Sequence, residues 1–457
     1  MTRAGHLAYW LMARNPAYIL ARLAALLRRY GLTSGKAERR VVDCVRLLAR
    51  YGARPTFPTP GRVIERYSAF CRQLQGLGAE LAVHSHDHID FRALPTEEAV
   101  GQLERAAAAF EAGGIQFEGF RCPYLGYTEA VLAAPLPGAL RYSSNRAIWW
   151  DVVSREAAGS ATAVFESLQR FYRAEPAEAR VSVPRMTGAL VELPVSLPDD
   201  IQLRDGLGLG EEGLTSAWSE VLRRTHARGE LFVLMFHPEL FEECRLALEA
   251  VLALSASLRP AVWLADLRRV ARWWREKSAF SAAISADGDG LRISFTCTEH
   301  AVVLVRGVST ETPTDPWAER YRALRGRELR LASGQRPLVG LSPDVPEPTV
   351  AFLREQGYVV DQSVEAERCG IYLDAAAVAG LGSEARLVDH VEYAETPLVR
   401  FWRWPEGARS ALCVTGDLDA LSLVDYALRP FAGRATRAGS GTGGGQPGSV
   451  ARRPRRP

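Results

Sequence analysis

Three of the chain's eight histidines fall within five residues, His84-Ser-His-Asp-His88, directly after the apolar run Glu80-Leu-Ala-Val83. Neutral imidazoles are good ligands for zinc and similar divalent ions, and His84 and His88, at i and i+4, can face one point across a single turn. The alternative is a polar loop with surface histidines, which gives no reason for such a concentration at a strand end. Two histidines do not complete a catalytic metal site, so a third ligand is needed, usually a carboxylate, with positions left open for water and substrate. Asp87 and Asp90 are local candidates. Thr415-Gly-Asp417-Leu-Asp419 is another, because it follows the strand-like Ala411-Leu-Cys-Val414 and precedes a helical pattern over 421–428. By itself that pair of carboxylates reads equally well as a helix N-cap.

Other strand ends also carry chemistry. Arg121-Cys-Pro-Tyr124 combines a guanidinium able to clamp a carboxylate with a backbone N–H, after the proline, able to meet a developing oxyanion. His237 closes the apolar run Leu231 to Phe236. Cys122 has no base placed beside it and reads as a packed thiol. Gly208-Leu-Gly-Glu-Glu-Gly213 matches a dinucleotide fingerprint, but the polar stretch before it cannot be the buried strand that motif requires.

The elements that must position these groups alternate as βα units do. Short apolar runs at 54–59, 80–83, 119–122, 189–195, 231–236 and 261–264 are mostly separated by helical periodicity, for example 99–110 behind Thr96 as a cap. This predicts an α/β fold with a parallel sheet, open or closed into a barrel. Near 279 the pattern changes to alternation at Ile293, Phe295 and Cys297, followed by Val302 to Val305, which predicts a β-rich insert. A further βαβ unit is expected over 336–360. After Gly433 the chain becomes rich in Gly, Ser, Arg and Pro, so 432–457 is expected to be a disordered tail.

A hydrophobic share of 47% with 24% charged residues is ordinary for a globular protein, and a net charge of +3 gives no case for a nucleic-acid partner. Seven scattered cysteines, without a C-x-x-C pair, argue against a disulfide framework and for a reducing, cytoplasmic compartment. Residues 1–40 carry eight basic residues against the single acid Glu38 and read as basic amphipathic helices. They fit packing against the protein's own core, or peripheral contact with an anionic membrane surface. Interrupted by Arg14, Asn15 and Arg22, they fall short of the roughly 18 to 20 apolar residues of a membrane span, and no signal-peptide pattern is present. Oligomeric state is not legible.

Together these motifs resemble the polysaccharide deacetylase family, also known as the NodB-homology domain or carbohydrate esterase family 4. Its H-[ST]-x-x-H motif matches His84-Ser85-x-x-His88 and its R-x-P-Y motif matches Arg121-Cys-Pro-Tyr124. Leu234-Met-Phe-His237 resembles its late L-x-H motif with one extra residue, and Phe117 to Arg121 and Leu140 to Ser144 also fit. The resemblance covers about 41–275 and implies an irregular (β/α) barrel over 41–278. The 279–400 segment is then a smaller β-rich, α+β insert. The family's opening T-F-D-D-like strand has no counterpart at Leu32-Thr-Ser-Gly-Lys36, whereas Thr415-Gly-Asp-Leu-Asp-Ala420 resembles the T-F-D-x-D-A form of it. A circularly permuted barrel is therefore expected, with its first strand and helix at 401–431.

The resemblance implies His84, His88 and Asp419 as ligands of a divalent metal, zinc being the expectation, with His86 a bystander or a supporting residue behind the ligands. Asp417 becomes the base oriented by Arg121, the Tyr124 N–H an oxyanion donor and His237 the acid for the leaving amine. The family's acidic, tryptophan-bearing segment is matched loosely by Trp149-Trp-Asp151. The activity implied is hydrolysis of the N-acetyl group of a sugar or polysaccharide. A catalytically inactive glycan-binding or scaffold relative, and a hydrolase of small amides, are the alternatives.

Overall fold

The computed structural model describes residues 26–27, 29–153, 169–318, 320–331, 336–363 and 365–427. The N-terminal helices expected over 1–40 lie outside it up to residue 25, as does the 432–457 tail. From Gly35 the chain forms a helix to Arg50, six residues earlier than the periodicity at Val41 suggests, and buries Ala37, Val41, Cys44, Val45, Leu47 and Leu48.

The fold is α/β, built on a curled twelve-stranded sheet. Read across, it runs Glu175–Pro176, Ala147–Trp149, Val195–Leu197, Leu231–Phe236, Ser410–Gly416, Thr56–Thr59, Glu80–Val83, Gly119–Phe120, Tyr142–Ser143, Leu190–Glu192 and Arg185–Thr187. Val262–Leu264 pairs beside the lower half of Ser410–Gly416. All pairings are parallel except the hairpin between Arg185–Thr187 and Leu190–Glu192. The run expected as one strand over 189–195 is two strands, because Pro194 lacks an N–H to continue the ladder. The central strands are buried throughout, as expected of a parallel sheet covered on both faces. The helices Gly61–Gly76, Thr96–Ala112, Glu211–Arg228 and Phe241–Ser257 follow the strands. Thr96 is the first residue of its helix rather than a cap: Pro95 takes that place and no side chain caps it.

Ser410–Gly416, near the end of the described chain, sits in the middle of this sheet. Its register aligns all of Leu231–Phe236 with Ala411–Gly416, and its last turn meets Thr56 through Thr415. Gly416 is required where the strand crosses Pro238, since a Cβ there would fall 2.4 Å from the proline Cγ. Asp417 N donates to Phe236 O and Leu418 N to Pro58 O, so the residues beyond the strand are held from both sides.

The insert is β-rich. Ser281–Asp287, Gly290–Thr296 and Glu328–Leu331 form one antiparallel sheet, and Val303–Arg306, Thr314–Ala318, Tyr321–Leu324 and Leu398–Phe401 a second. A parallel sheet of Val360–Asp361, Val339–Leu341 and Ile371–Leu373 carries the helix Glu347–Glu355, the expected βαβ unit. All seven cysteines are free and six are buried. No helix among the described residues is long and apolar enough to cross a membrane.

Candidate metal and catalytic site

Strand C-termini converge on one end of the sheet, where parallel α/β folds place their sites. His84 is 1% exposed and follows Glu80–Val83. Its Nδ1 lies 2.8 Å from the Arg121 carbonyl, so that nitrogen carries the proton and donates. The Nε2 lone pair then points at two carboxylates, 3.5 Å from Asp419 Oδ1 and 3.7 Å from Asp417 Oδ2, with no hydrogen-bond partner of its own. His88 Nε2 is 3.0 Å from the same Asp419 oxygen. The ligand atoms of His84, His88 and Asp419 lie within 4.8 Å of one another, a group that could hold a metal ion. Burying a lone pair against two anions is unfavourable without a cation between them, so this donor set fits one. Zinc suits two imidazoles and a carboxylate.

The loop between the two histidines is built for this. Ser85 and His88 are left-handed, at φ 63° and 53°, which costs about 1–3 kcal/mol each for non-glycine residues. Gln102, buried on the helix Thr96–Ala112, holds the strained loop: its Oε1 accepts from Ser85 Oγ, His86 N and Asp87 N, and its amide donates to Asp87. Asp87 is further engaged by Arg62 and His86, and Asp90 by Arg92. Neither joins the metal group. His86 turns away to Asp87 and Glu65; burial depresses its pKa, but these two carboxylates raise it on balance.

Arg121, fully buried, donates from Nη1 to Asp417 Oδ1 at 2.8 Å and to Thr415 Oγ1 at 3.1 Å. Ser144 accepts from Nε through its carbonyl and from Nη2 through its hydroxyl. Every polar edge of the guanidinium is thus used to orient one carboxylate. Tyr124 is left-handed at φ 60°, and its ring packs edge-on to His88 at 5.0 Å. Buried Cys122 has its pKa pushed up by desolvation, as a packed thiol should.

His237 leaves Leu231–Phe236 beside Asp417, the register pairing Phe236 with Gly416. The expected acidic partner near Trp149-Trp-Asp151 is not there. Asp151 is exposed, and Asp200 takes the role: it accepts from His237 N at 3.0 Å and its Oδ1 lies 2.8 Å from Nδ1. Burial alone would lower the His237 pKa, but the Asp200 carboxylate outweighs it and, against the opposing Arg29, raises it to about 10. Asp199 beside it is pushed up to about 7 by burial and the Asp200 charge. Asp200 lies in the polar stretch before Gly208 that, in sequence, is too polar for a buried strand. Its one legible signal is the pair of acids after Val195–Leu197, itself a strand neighbouring Leu231–Phe236. Arg29, from the segment before the first helix, also approaches: it pairs with Glu239 on the turn after His237, and Tyr30 donates to the same carboxylate. A pocket of 110 Å³ opens beside His88 and Asp419, rimmed by Arg62, Glu65 and Arg66.

Residues 34–136 match the family model described as polysaccharide deacetylase, in agreement with the resemblance carried by His84-Ser-x-x-His88 and Arg121-Cys-Pro-Tyr124 within that span. None of the curated proteins matches the chain. Among solved structures, a Mycobacterium smegmatis protein assigned to the polysaccharide deacetylases is 20% identical, covering 57% of this chain and 84% of its own, with a TM-score of 0.41. A Pseudomonas aeruginosa PAO1 protein of the same description is 16% identical over 52% and 73%, with a TM-score of 0.39. A family 4 carbohydrate esterase from Streptomyces lividans, in complex with acetate, is 14% identical over 48% and 81%, with a TM-score of 0.29.

Proposed function

We propose that this protein is a metal-dependent hydrolase that removes the acetyl group from an N-acetylated sugar or polysaccharide. The observation that carries the reading is the meeting of Asp417 and Asp419 with His84, from opposite ends of the chain, together with Arg121 on Asp417. In this reading Asp419, His84 and His88 hold a divalent metal, for which zinc is the natural occupant. When bound, the metal supplies Lewis-acid polarisation of the acetyl carbonyl and activation of water.

The chain's own residues do the rest. Asp417, held in position by Arg121, accepts the proton of the attacking water. The Tyr124 backbone N–H donates to the carbonyl oxygen as negative charge develops on it. His237, protonated through its pair with Asp200, delivers a proton to the departing amine, releasing free amine and acetate. The rim residues Arg62, Glu65 and Arg66 offer charged hydrogen-bonding groups to sugar hydroxyls.

We read Ser410–Gly416 as the barrel's displaced first strand, its sequence moved to the far end of the chain by circular permutation. Support for this is its parallel place between Leu231–Phe236 and Thr56–Thr59, and the two aspartates immediately after it. The free thiols support a reducing, cytoplasmic setting, and the basic N-terminal sequence supports peripheral membrane association. The test of function is acetate release from chitin oligosaccharides by the metal-loaded protein, compared with chelated protein and with Asp417→Asn. Equal release from all three would overturn the reading.

A further inference from the structure

At the opposite end of Ser410–Gly416 from the metal group, at the seam between barrel and insert, lies a second pocket of 200 Å³. It is smaller than the roughly 300–1,000 Å³ of sites for drug-sized ligands. Its chemistry is dominated by guanidinium groups, five of them, from Arg228, Arg320, Arg400, Arg403 and Arg409. Three carboxylates, Glu230, Asp389 and Glu392, also line it, leaving a surplus of two positive charges.

The carboxylates are unequally used. Glu230 pairs with Arg228 at 2.9 Å, and Glu392 pairs with Arg400 while accepting from Tyr321 and Tyr358. Arg403 has no such counterion. It is 1% exposed, its Nη1 donates to the carbonyls of Arg228 and Gly229, and its Nε and Nη2 have no hydrogen-bond partner. No carboxylate of the described residues lies within salt-bridge distance of it. A buried guanidinium with an unused Nε/Nη2 edge is unfavourable on its own, and that edge is the fork that grips an oxyanion through two parallel hydrogen bonds. Aromatic rings complete the wall: Trp317 and Trp402 meet edge to face at 4.7 Å, and Tyr393 stands 75% exposed at the rim.

We propose that this pocket binds a small phosphate monoester, its dianionic head held by Arg403 and the surrounding arginines and its organic part resting against Tyr393. The surplus of two charges matches a dianion better than a carboxylate, and the aromatic rim gives an ester an advantage over the free ion. The site stands apart from the proposed catalytic centre and does not depend on the deacetylase reading.

The test is isothermal titration of the full chain with inorganic phosphate, phenyl phosphate and benzoate. EDTA is present throughout, so that no metal at His84, His88 and Asp419 contributes. Both phosphates are expected to bind, phenyl phosphate the tighter and benzoate at least tenfold weaker. Arg403→Met should weaken both phosphates tenfold or more, and Tyr393→Ala should weaken phenyl phosphate alone. No binding of either phosphate by the wild type, or unchanged affinity in Arg403→Met, would overturn the site; benzoate binding as tightly as phenyl phosphate would overturn its assignment to phosphate. Should circular dichroism show Arg403→Met unfolded, the exposed pair Arg320→Met and Tyr393→Ala decides: unchanged phenyl phosphate affinity in both removes the proposal.

Discussion

Arg121 Nη1 donates to Asp417 Oδ1 at 2.8 Å, joining the end of Gly119–Phe120 to the end of Ser410–Gly416 across the mouth of the sheet. The arginine is fully buried and the aspartate nearly so, which makes the pair costly to break from either side. Around this bond the imidazoles and carboxylates of the candidate site are arranged, and each contact makes a distinct forecast.

Arg121→Met leaves Asp417 facing an apolar side chain. Breaking a buried pair by removing one partner costs about 3–5 kcal/mol. Urea denaturation should show a loss of that order, with deacetylation falling in parallel. A stability change under 1 kcal/mol would mean that the pair carries little weight.

Asp419 Oδ1 approaches both His84 and His88, whereas Asp417 approaches His84 alone. Asp419→Asn should therefore lose bound metal, at least tenfold by elemental analysis of the purified protein. Asp417→Asn should keep its metal yet lose about 10²–10⁴-fold in kcat, the usual worth of a general base. Metal content that is the same in both variants would dissolve the division of labour between these carboxylates.

Asp200 is the counterion that raises the His237 pKa to about 10 against burial. The imidazolium pair adds stability below the unfolded pKa of roughly 6.5, and this is lost as pH rises through about 10. Activity that needs protonated His237 should show its alkaline limb in the same region. In Asp200→Asn, burial and Arg29 outweigh the remaining Glu239 charge, so the limb of the kcat/KM profile moves to lower pH by more than one unit. A limb that stays in place would assign it to another group.

Gln102 touches no metal ligand directly but fixes the loop between His84 and His88 through its amide. Outer partners of metal ligands are typically worth 10–100-fold in metal affinity. Competition with a chromophoric chelator should show Gln102→Leu weakened within that range, while the circular dichroism spectrum stays native.

Removing metal should also lower thermal stability, since a ligand bound only by the folded state stabilises it by about 2.7 kcal/mol at 100 times its Kd. Scanning calorimetry with and without EDTA reads this directly. The difference should vanish in Asp419→Asn.

Much of the framework was legible before any coordinates. Glu80–Val83 and Leu231–Phe236 stand out because strands buried on both faces are continuous apolar runs, and the polar groups directly after them mark the site end of the sheet. The packed thiol of Cys122 is legible in the same local way, whereas the place of His86 outside the ligand set comes from the family resemblance. The pairing of His237 with Asp200 did not, and Asp151 was the wrong candidate, because strand order places Val195–Leu197 beside Leu231–Phe236 while nothing in either segment names its neighbour. Gln102 was invisible for a similar reason: a glutamine on a helix becomes a loop clamp only when the helix packs beneath the loop.

Side-chain type and spacing determined which residues have the chemistry for a metal and an acid, since ligand softness and strand periodicity are local properties of the chain. Whether Asp417 and Asp419 reach His84 and His88 is decided by hydrogen bonding between strands hundreds of residues apart. Only the sheet, by inserting Ser410–Gly416 between Leu231–Phe236 and Thr56–Thr59, turns two distant motifs into one site.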